Sequence, residues 1–189
     1  ARLREIGVEI DAKHPKLNAI LDEVKAREFE GYAYDGAEAS FELLARRTLG
    51  TVPEYFRLHG FRVLDERRWN AKGELVTLSE ATTKLVVDGA QTMTVAEGNG
   101  PVNALDAALR KALIASFPEL DRIRLTDYKV RILTPQDGTG AVTRVMIETT
   151  DADGDTWSTV GVSTNVIDAS YNALHDSLTY KLFRSGRHG

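Results

Sequence analysis

The sequence predicts an α+β fold in which a helical segment precedes two pseudo-symmetric βββα units. Three observations support this prediction. The hydrophobic period changes from 3.6 to 2 after Pro53, Asp-Gly hairpin signals occur at residues 88–89 and 153–154, and the order of elements after residue 51 recurs after residue 119. We therefore divide the chain into a helical linker subdomain, residues 1–50, and a second domain, residues 51–189, with repeats at about 51–118 and 119–185.

Helices are predicted throughout the first fifty residues. The chain opens with ARLREIG, which already has a helical pattern, so we expect it to be part of a longer protein. Apolar residues spaced three and four apart predict amphipathic helices over Lys16–Phe29 and Ala37–Leu49. Glycines at positions 31 and 36 separate these helices, and Gly50 and Pro53 end the helical region.

Strands rich in β-branched residues follow. The first repeat is predicted to contain strands at 55–69, 77–87 and 91–96 and a helix at 101–116. Asp88-Gly89 joins the second and third strands, because both residues tolerate a positive φ. The second repeat has the same order, with strands at 122–133, 142–150 and 156–162, a turn at Asp153-Gly154 and a helix at 166–183.

The two repeats align residue by residue. When Gly89 is placed on Gly154, residues 88–113 match residues 153–178 without a gap, pairing Thr94 with Thr159 and Ala108 with Ala173. The first strands also match, since RLHGFRV resembles RLTDYKV. Because the turn, the strands and the apolar helix face agree, we interpret the second domain as an internal duplication.

The composition excludes several classes of partner. The chain has 24 Lys and Arg against 28 Asp and Glu, and no long basic cluster, so neither nucleic acid nor an anionic membrane is expected as a partner. No apolar run approaches the ~20 residues that a bilayer requires. The absence of cysteine removes disulfides and thiol nucleophiles and is typical of a cytoplasmic protein, which is the location that we expect.

The stretch EGNGPVNALDAAL, residues 97–109, resembles a phosphate loop but lacks the required frame. The third glycine position of a dinucleotide fingerprint is Asn103, and no P-loop lysine follows the spacer. The repeat shows instead a strand end, a loop and a helix start. Gly98 and Gly100 either form a tight turn or let backbone amides approach a small anion such as a carboxylate. In the second repeat, Ser163, Thr164 or Asn165 can cap the helix.

No catalytic or metal-binding residues are predicted. The histidines are scattered at positions 14, 59, 175 and 188, without a metal-binding spacing. The sequence DADGDT resembles the start of a calcium loop, but Thr156 replaces its glycine and Val162 its bidentate glutamate. No G-x-S-x-G nucleophile frame occurs.

Four long motifs resemble the C-terminal part of citramalate synthases, relatives of the 2-isopropylmalate and homocitrate synthases. They are GYAYDGAEASFELLARR (31–47), AEGNGPVNALDAALRKAL (96–113), TDYKVRIL (126–133) and STVGVSTNVIDASYNALHDSLTYKL (158–182). The resemblance implies that residues 51–189 are a regulatory domain that forms a homodimer and binds a branched-chain amino acid, first of all isoleucine, as feedback inhibitor.

The resemblance also implies an N-terminal catalytic barrel as partner of this region. In the family, the barrel holds a divalent metal and condenses acetyl-CoA with pyruvate. This chain is then a fragment of an acyltransferase, and we expect it to be inactive and to contain no cofactor.

The resemblance further implies a set of effector-binding residues. Backbone amides at the helix start can bind the effector carboxylate, Asp127 its ammonium group, and apolar side chains its aliphatic group. The full set is Gly98, Asn99, Gly100, Pro101, Val102, Asn103, Leu105, Leu125, Asp127, Tyr128, Ile132 and Val162. Tyr128 and Ile132 have an alternative role as core residues of a strand.

Two other functions are compatible with the same motifs. The chain can be the corresponding region of a 2-isopropylmalate synthase, with leucine as effector, or a dimerisation module that binds no ligand. Titration with isoleucine, leucine and valine distinguishes the three hypotheses.

Overall fold

The computed structural model describes residues 2–11 and 14–187. The chain divides into two compact units, one made of Ala1–Pro53 together with Ile123–Gly189 and the other of Glu54–Arg122. We call them the composite unit and the single-repeat unit. The N-terminal helices thus group with the second repeat. The predicted functional division at residue 50 stays a prediction.

The elements follow the predicted order, which confirms the α+β fold class. The helices are α1 (Arg2–Glu5), α2 (Lys16–Glu30), α3 (Glu38–Leu49), α4 (Pro101–Leu113) and α5 (Val166–Arg184), with 3₁₀ segments at Pro118–Arg122 and Pro135–Gly140. The strands are β1 (Phe56–Trp69), β2 (Leu75–Val87), β3 (Ala90–Gly98), β4 (Arg124–Ile132), β5 (Thr143–Thr150) and β6 (Thr156–Ser163). They form two antiparallel sheets, β1-β2-β3 and β4-β5-β6.

The two hairpins differ in length. Asp88 and Gly89, with φ of 50° and 77°, form the predicted two-residue turn between Val87 and Ala90. The predicted turn at Asp153-Gly154 is also present, with Gly154 at a φ of 88°, but it is part of a five-residue loop between Thr150 and Thr156. The Asp151 carboxylate organises this loop by accepting hydrogen bonds from the amides of residues 153 and 155, at 2.9 and 3.0 Å.

In the single-repeat unit, α4 buries its apolar face against β2 and β3. The buried residues of α4 are Ala104, Leu105, Ala108, Leu109, Ala112 and Leu113. A helical spacing of three and four residues places them on one stripe, which is why the helix packs on the sheet. Thr94 on β3 donates a hydrogen bond to the Ala108 carbonyl at 2.7 Å, so its hydroxyl is satisfied inside the core.

The composite unit repeats this packing with α5 on β5 and β6. Thr159 on β6 donates to the Ala173 carbonyl at 2.8 Å, which is the same bond between the two residues that align with Thr94 and Ala108. Thr149 and Ser177 share a hydrogen bond of 2.7 Å beside it. A shared strand-to-helix bond at aligned positions supports the internal duplication.

The two sheets differ in how their second face is covered. In the composite unit, the α2–α3 connection and α3 cover part of the sheet face opposite α5, where Tyr34, Ala37, Phe41 and Val160 form a buried cluster. In the single-repeat unit, Leu64, Met93 and Val95 on the face opposite α4 remain exposed, with Met93 61% exposed.

Within residues 2–11 and 14–187, no helix is long and apolar enough to cross a bilayer.

Candidate functional site

The loop between β3 and α4 is built around Gly98. A Cβ atom at this position would lie 2.6 Å from Asn103 Oδ1 and 2.8 Å from Ala104 Cα, so only glycine allows the helix start to fold over the strand end. The φ angle of Gly98 is not positive, so a tight turn is not the reason for this glycine. Gly98 therefore has a packing role.

Gly100 has a different role, because its surroundings are open. Its φ of −172° and ψ of 171° are extended, and a Cβ atom there would meet no atom within 4 Å. Gly100 is the N-cap of α4 and provides no side-chain acceptor, while Pro101 has no N–H. The amides of Val102 and Asn103 therefore begin the helix without a capping side chain.

The electrostatics of this helix start favour an anion. The first turn of α4 contains no acidic residue, so no carboxylate of that turn offsets the positive end of the helix dipole. The Asn103 side chain turns back and accepts a hydrogen bond from the Asn99 amide at 3.0 Å. Asn103 thus orders the loop from Gly98 to Asn103, which we call the glycine loop.

The corresponding start of α5 is capped by its own side chains. Of the three predicted caps, Asn165 is the one observed, and its Oδ1 accepts from the amides of Ile167 and Asp168 at 2.8 and 3.3 Å. Asp168 also places a negative charge in the first turn, and Ser163 accepts from the Asn165 amide at 3.1 Å. The helix start in the second repeat is therefore already neutralised, whereas that in the first repeat is open.

A second group of predicted residues lies on β4 in the composite unit. Tyr128, Val130 and Ile132 are 39%, 47% and 57% exposed, so the alternative assignment of Tyr128 and Ile132 to the core is wrong. The Tyr128 hydroxyl shares a hydrogen bond of 2.8 Å with Ser170 on α5. The result is an exposed apolar stripe that the sequence motifs identified only in part, because Val130 was not among the predicted residues.

Asp127, the predicted partner of an ammonium group, already has a cation. Lys129 Nζ lies 2.5 Å from Asp127 Oδ2, and this hydrogen bond lowers the pKa of Asp127 below its usual range. Both side chains are on the surface, so water screens the pair and an incoming ammonium can exchange with Lys129.

The predicted residues form two groups, one in each unit. Residues 98–103 form the glycine loop, whereas the Leu105 side chain is fully buried between α4 and its sheet. On the other sheet, Leu125 pairs with Thr149 and faces α5 with Tyr128 and Ile132. Asp127 faces the opposite side, because the register shifts between Leu125 and Asp127, and Val162, which pairs with Arg144, faces that side too. The complete set stays a prediction.

The composite unit also contains a polar cluster that the sequence did not predict. A cavity of about 500 Å³ between α2, α3, α5 and β6 is lined by Glu23, Arg27, Tyr32, Arg47, His175 and Asp176, among others. Asp176 accepts hydrogen bonds from Ser40 Oγ and Arg47 Nη1, each at 2.7 Å. Burial alone would raise the pKa of Asp176, but the neighbouring His175, the Arg47 charge and the hydrogen bond from Ser40 hold it below its usual range.

Among residues 2–11 and 14–187, no group of three His, Cys, Asp or Glu side chains is placed to hold a metal ion. His188, one of the four histidines considered above, lies outside the described residues. The absence of a metal or cofactor from this region therefore stays a prediction.

The chain is a duplicated α+β domain. Helices precede two βββα units, and both units have the same hydrogen bond from a strand threonine to a helix carbonyl. The chain belongs to the LeuA allosteric (dimerisation) domain family, which matches residues 35–182. It is 50% identical over 185 residues to the (R)-citramalate synthase of Geobacter sulfurreducens, covering 98% of this chain and 34% of that protein. It is 47% identical over 188 residues to that of Aquifex aeolicus, covering 100% and 35%.

A 2-isopropylmalate synthase from Aquifex aeolicus is 38% identical over 104 residues, which is 55% of this chain and 18% of that protein. The chain thus spans about a third of the length of the citramalate synthases that it matches, in their C-terminal region. These comparisons confirm the resemblance that the four motifs indicated.

Proposed function

We propose that this chain is the regulatory and dimerising region of a citramalate synthase and that it binds isoleucine as feedback inhibitor. The observation that carries the proposal is the uncapped start of α4, which lacks both a capping side chain and an acidic residue in its first turn. An amino-acid carboxylate supplies the missing acceptor for the Val102 and Asn103 amides. The self-capped start of α5 leaves no such requirement.

The predicted contacts of the other parts of an aliphatic amino acid lie on β4 of the composite unit. The exposed stripe of Tyr128, Val130 and Ile132 is suited to an aliphatic side chain, whose full burial is worth roughly 1.5–3 kcal/mol. Asp127, the predicted partner of the ammonium group, faces the other side of β4 and is paired with Lys129, so its part in the site stays a prediction. Isoleucine is proposed before leucine because the citramalate synthases match more of the chain at higher identity than the 2-isopropylmalate synthase of Aquifex aeolicus does.

The proposed parent enzyme joins acetyl-CoA to pyruvate in a separate catalytic barrel with a divalent metal. The names of the relatives and the motif resemblance support this part of the proposal. Since no catalytic constellation is predicted in residues 1–189, we propose that the chain regulates the reaction without performing it.

Calorimetric titration of the chain with isoleucine, leucine and valine tests the effector. We expect saturable binding of isoleucine with about fourfold preference over valine, a discrimination of ~0.8 kcal/mol for one methylene group. Preference for leucine would instead support the 2-isopropylmalate synthase alternative. The absence of binding by all three would support the ligand-free dimerisation module.

We also propose that the chain forms a homodimer in solution. The sheet face that carries Leu64, Met93 and Val95 is exposed, whereas the corresponding face of the second sheet is partly covered by residues 34–41 of its own unit. A thin three-stranded unit gains stability when such a face is covered. Sedimentation equilibrium at micromolar concentration should give twice the mass of the chain, and a single monomeric species with a cooperative melt would contradict the proposal.

A further inference from the structure

Asp176 joins two helices of the composite unit at two points. It lies on α5 with its side chain only 14% exposed, and it accepts from Ser40 Oγ through Oδ2 and from Arg47 Nη1 through Oδ1. Both donors belong to α3 and lie seven residues, about two helical turns, apart. The carboxylate thus fixes both the position and the rotation of α3 on α5. We call Ser40, Arg47 and Asp176 the α3–α5 junction.

The same junction is bonded to the sheet. Ser40 Oγ accepts a hydrogen bond of 3.0 Å from the Val160 amide, and Val160 is buried on β6, the edge strand of its sheet. Val162, one of the predicted effector contacts, is two residues farther along this strand. It also lies close to the start of the α2–α3 connection, since a Cβ at Gly31 would be 3.4 Å from Val162 Cγ1.

These contacts form a continuous path from β6 to the end of α3. A displacement of β6 at Val162 moves the Val160 amide, which moves Ser40, and Ser40 and Arg47 share the Asp176 carboxylate. Energetic coupling between separated sites requires such a chain of packed and hydrogen-bonded groups. We propose that Ser40 and Asp176 are positioning residues that transmit effector binding from β6 to α3. This inference rests on the proposed binding of isoleucine.

Substitution of Asp176 is a specific probe because the carboxylate bonds to both donors. Asparagine keeps the shape and one acceptor oxygen but cannot accept from Ser40 and Arg47 through two oxygens. It also leaves the Arg47 guanidinium without its anionic partner. The native carboxyl group is ionised at neutral pH, since its pKa lies below the usual range. Ser40→Ala is a second probe. It removes the hydrogen bonds of Ser40 Oγ to the Val160 amide and to Asp176 without adding any atoms.

The test is hydrogen exchange of the α3 amides with and without saturating isoleucine, combined with calorimetric titration of the same variants. In the native chain, we expect isoleucine to slow exchange in α3 by about threefold or more. In Asp176→Asn and in Ser40→Ala, isoleucine should still bind within about threefold of the native affinity while the response of α3 is lost.

Asp151→Asn is the matched control. It makes the same carboxylate-to-amide change in the same unit and breaks a short ion pair to α5, Lys181 Nζ to Asp151 Oδ2 at 2.6 Å, without touching α3. We expect the α3 response to persist in this variant. If Asp176→Asn does not fold, Ser40→Ala decides the question.

The two proposals fail in different ways. If the native chain does not bind isoleucine, the proposed function is wrong. If it binds isoleucine but α3 exchange is unchanged, or if both junction variants keep the native response, the junction does not transmit the signal and this inference is wrong.

Discussion

Replacing Gly100 by alanine should weaken isoleucine binding about tenfold or more while leaving the fold intact, because one charge-assisted hydrogen bond is worth ~1.5–3 kcal/mol. The extended backbone at Gly100 accepts any residue, and a Cβ there meets no protein atom. The added methyl group therefore occupies only the open volume beside the Val102 and Asn103 amides, where we place the carboxylate. Calorimetry measures the affinity, and urea unfolding checks that stability is unchanged.

Ser163→Ala is the control for this prediction, because Ser163 occupies the corresponding loop of the second repeat. At that helix start, the Ser163 hydroxyl accepts a hydrogen bond from the Asn165 amide. In the variant, Asn165 still caps α5. We expect isoleucine affinity to change by less than about twofold, since this helix start needs no ligand. Equal losses in the two variants would mean that the two repeats bind the effector equivalently and that the proposed asymmetry is wrong.

Replacing Gly161 by alanine should destabilise the composite unit by about 3 kcal/mol, at the upper end of the range for overpacking. A Cβ atom on Gly161 would overlap the Ala169 carbonyl oxygen and would lie 2.9 Å from Ala173 N and from Asn172 Cβ. Two of these groups are backbone atoms of α5, so the whole helix must move away from β6. The urea midpoint of the unfolding transition measures the effect.

Gly140→Ala is the matched control in the same unit. Gly140 does not have a positive φ, and a Cβ there would meet no atom within 4 Å. The change in the entropy of the unfolded chain is the same as for Gly161→Ala, so the difference between the two variants isolates the steric effect. An unchanged midpoint for Gly161→Ala would show that α5 does not approach β6 so closely.

Most element boundaries were predictable because their signals are local. The predicted α4 start at Pro101, the α3 end at Leu49 and the Asp88-Gly89 turn agree with the structure. Each depends on residues that restrict their own backbone or on a hydrophobic period within one segment. The second hairpin turns at the predicted Asp153-Gly154, but its greater length was not predictable, because it depends on hydrogen bonds from the amides of residues 153 and 155 to the Asp151 side chain.

The candidate site was predictable only in part. The motifs identified the glycine loop, but the sequence treated Gly98 and Gly100 alike. Their roles separate only because α4 folds over Gly98 and leaves Gly100 open. The sequence also left open whether Tyr128 and Ile132 are exposed or buried, because exposed edge strands and buried strands can both be rich in apolar residues. The structure shows both side chains exposed.

The duplicated α+β architecture was predictable, since periodicity, turn residues and helix starts are properties of short segments that recur in both repeats. The open helix start in one repeat and the bonding of α3 to α5 depend on tertiary contacts. Ser40 and Asp176 are 136 residues apart, and their hydrogen bond exists because α3 packs against the second repeat. Contacts of this kind depend on how distant surfaces meet, and no local pattern in one sequence encodes the partner of a buried carboxylate.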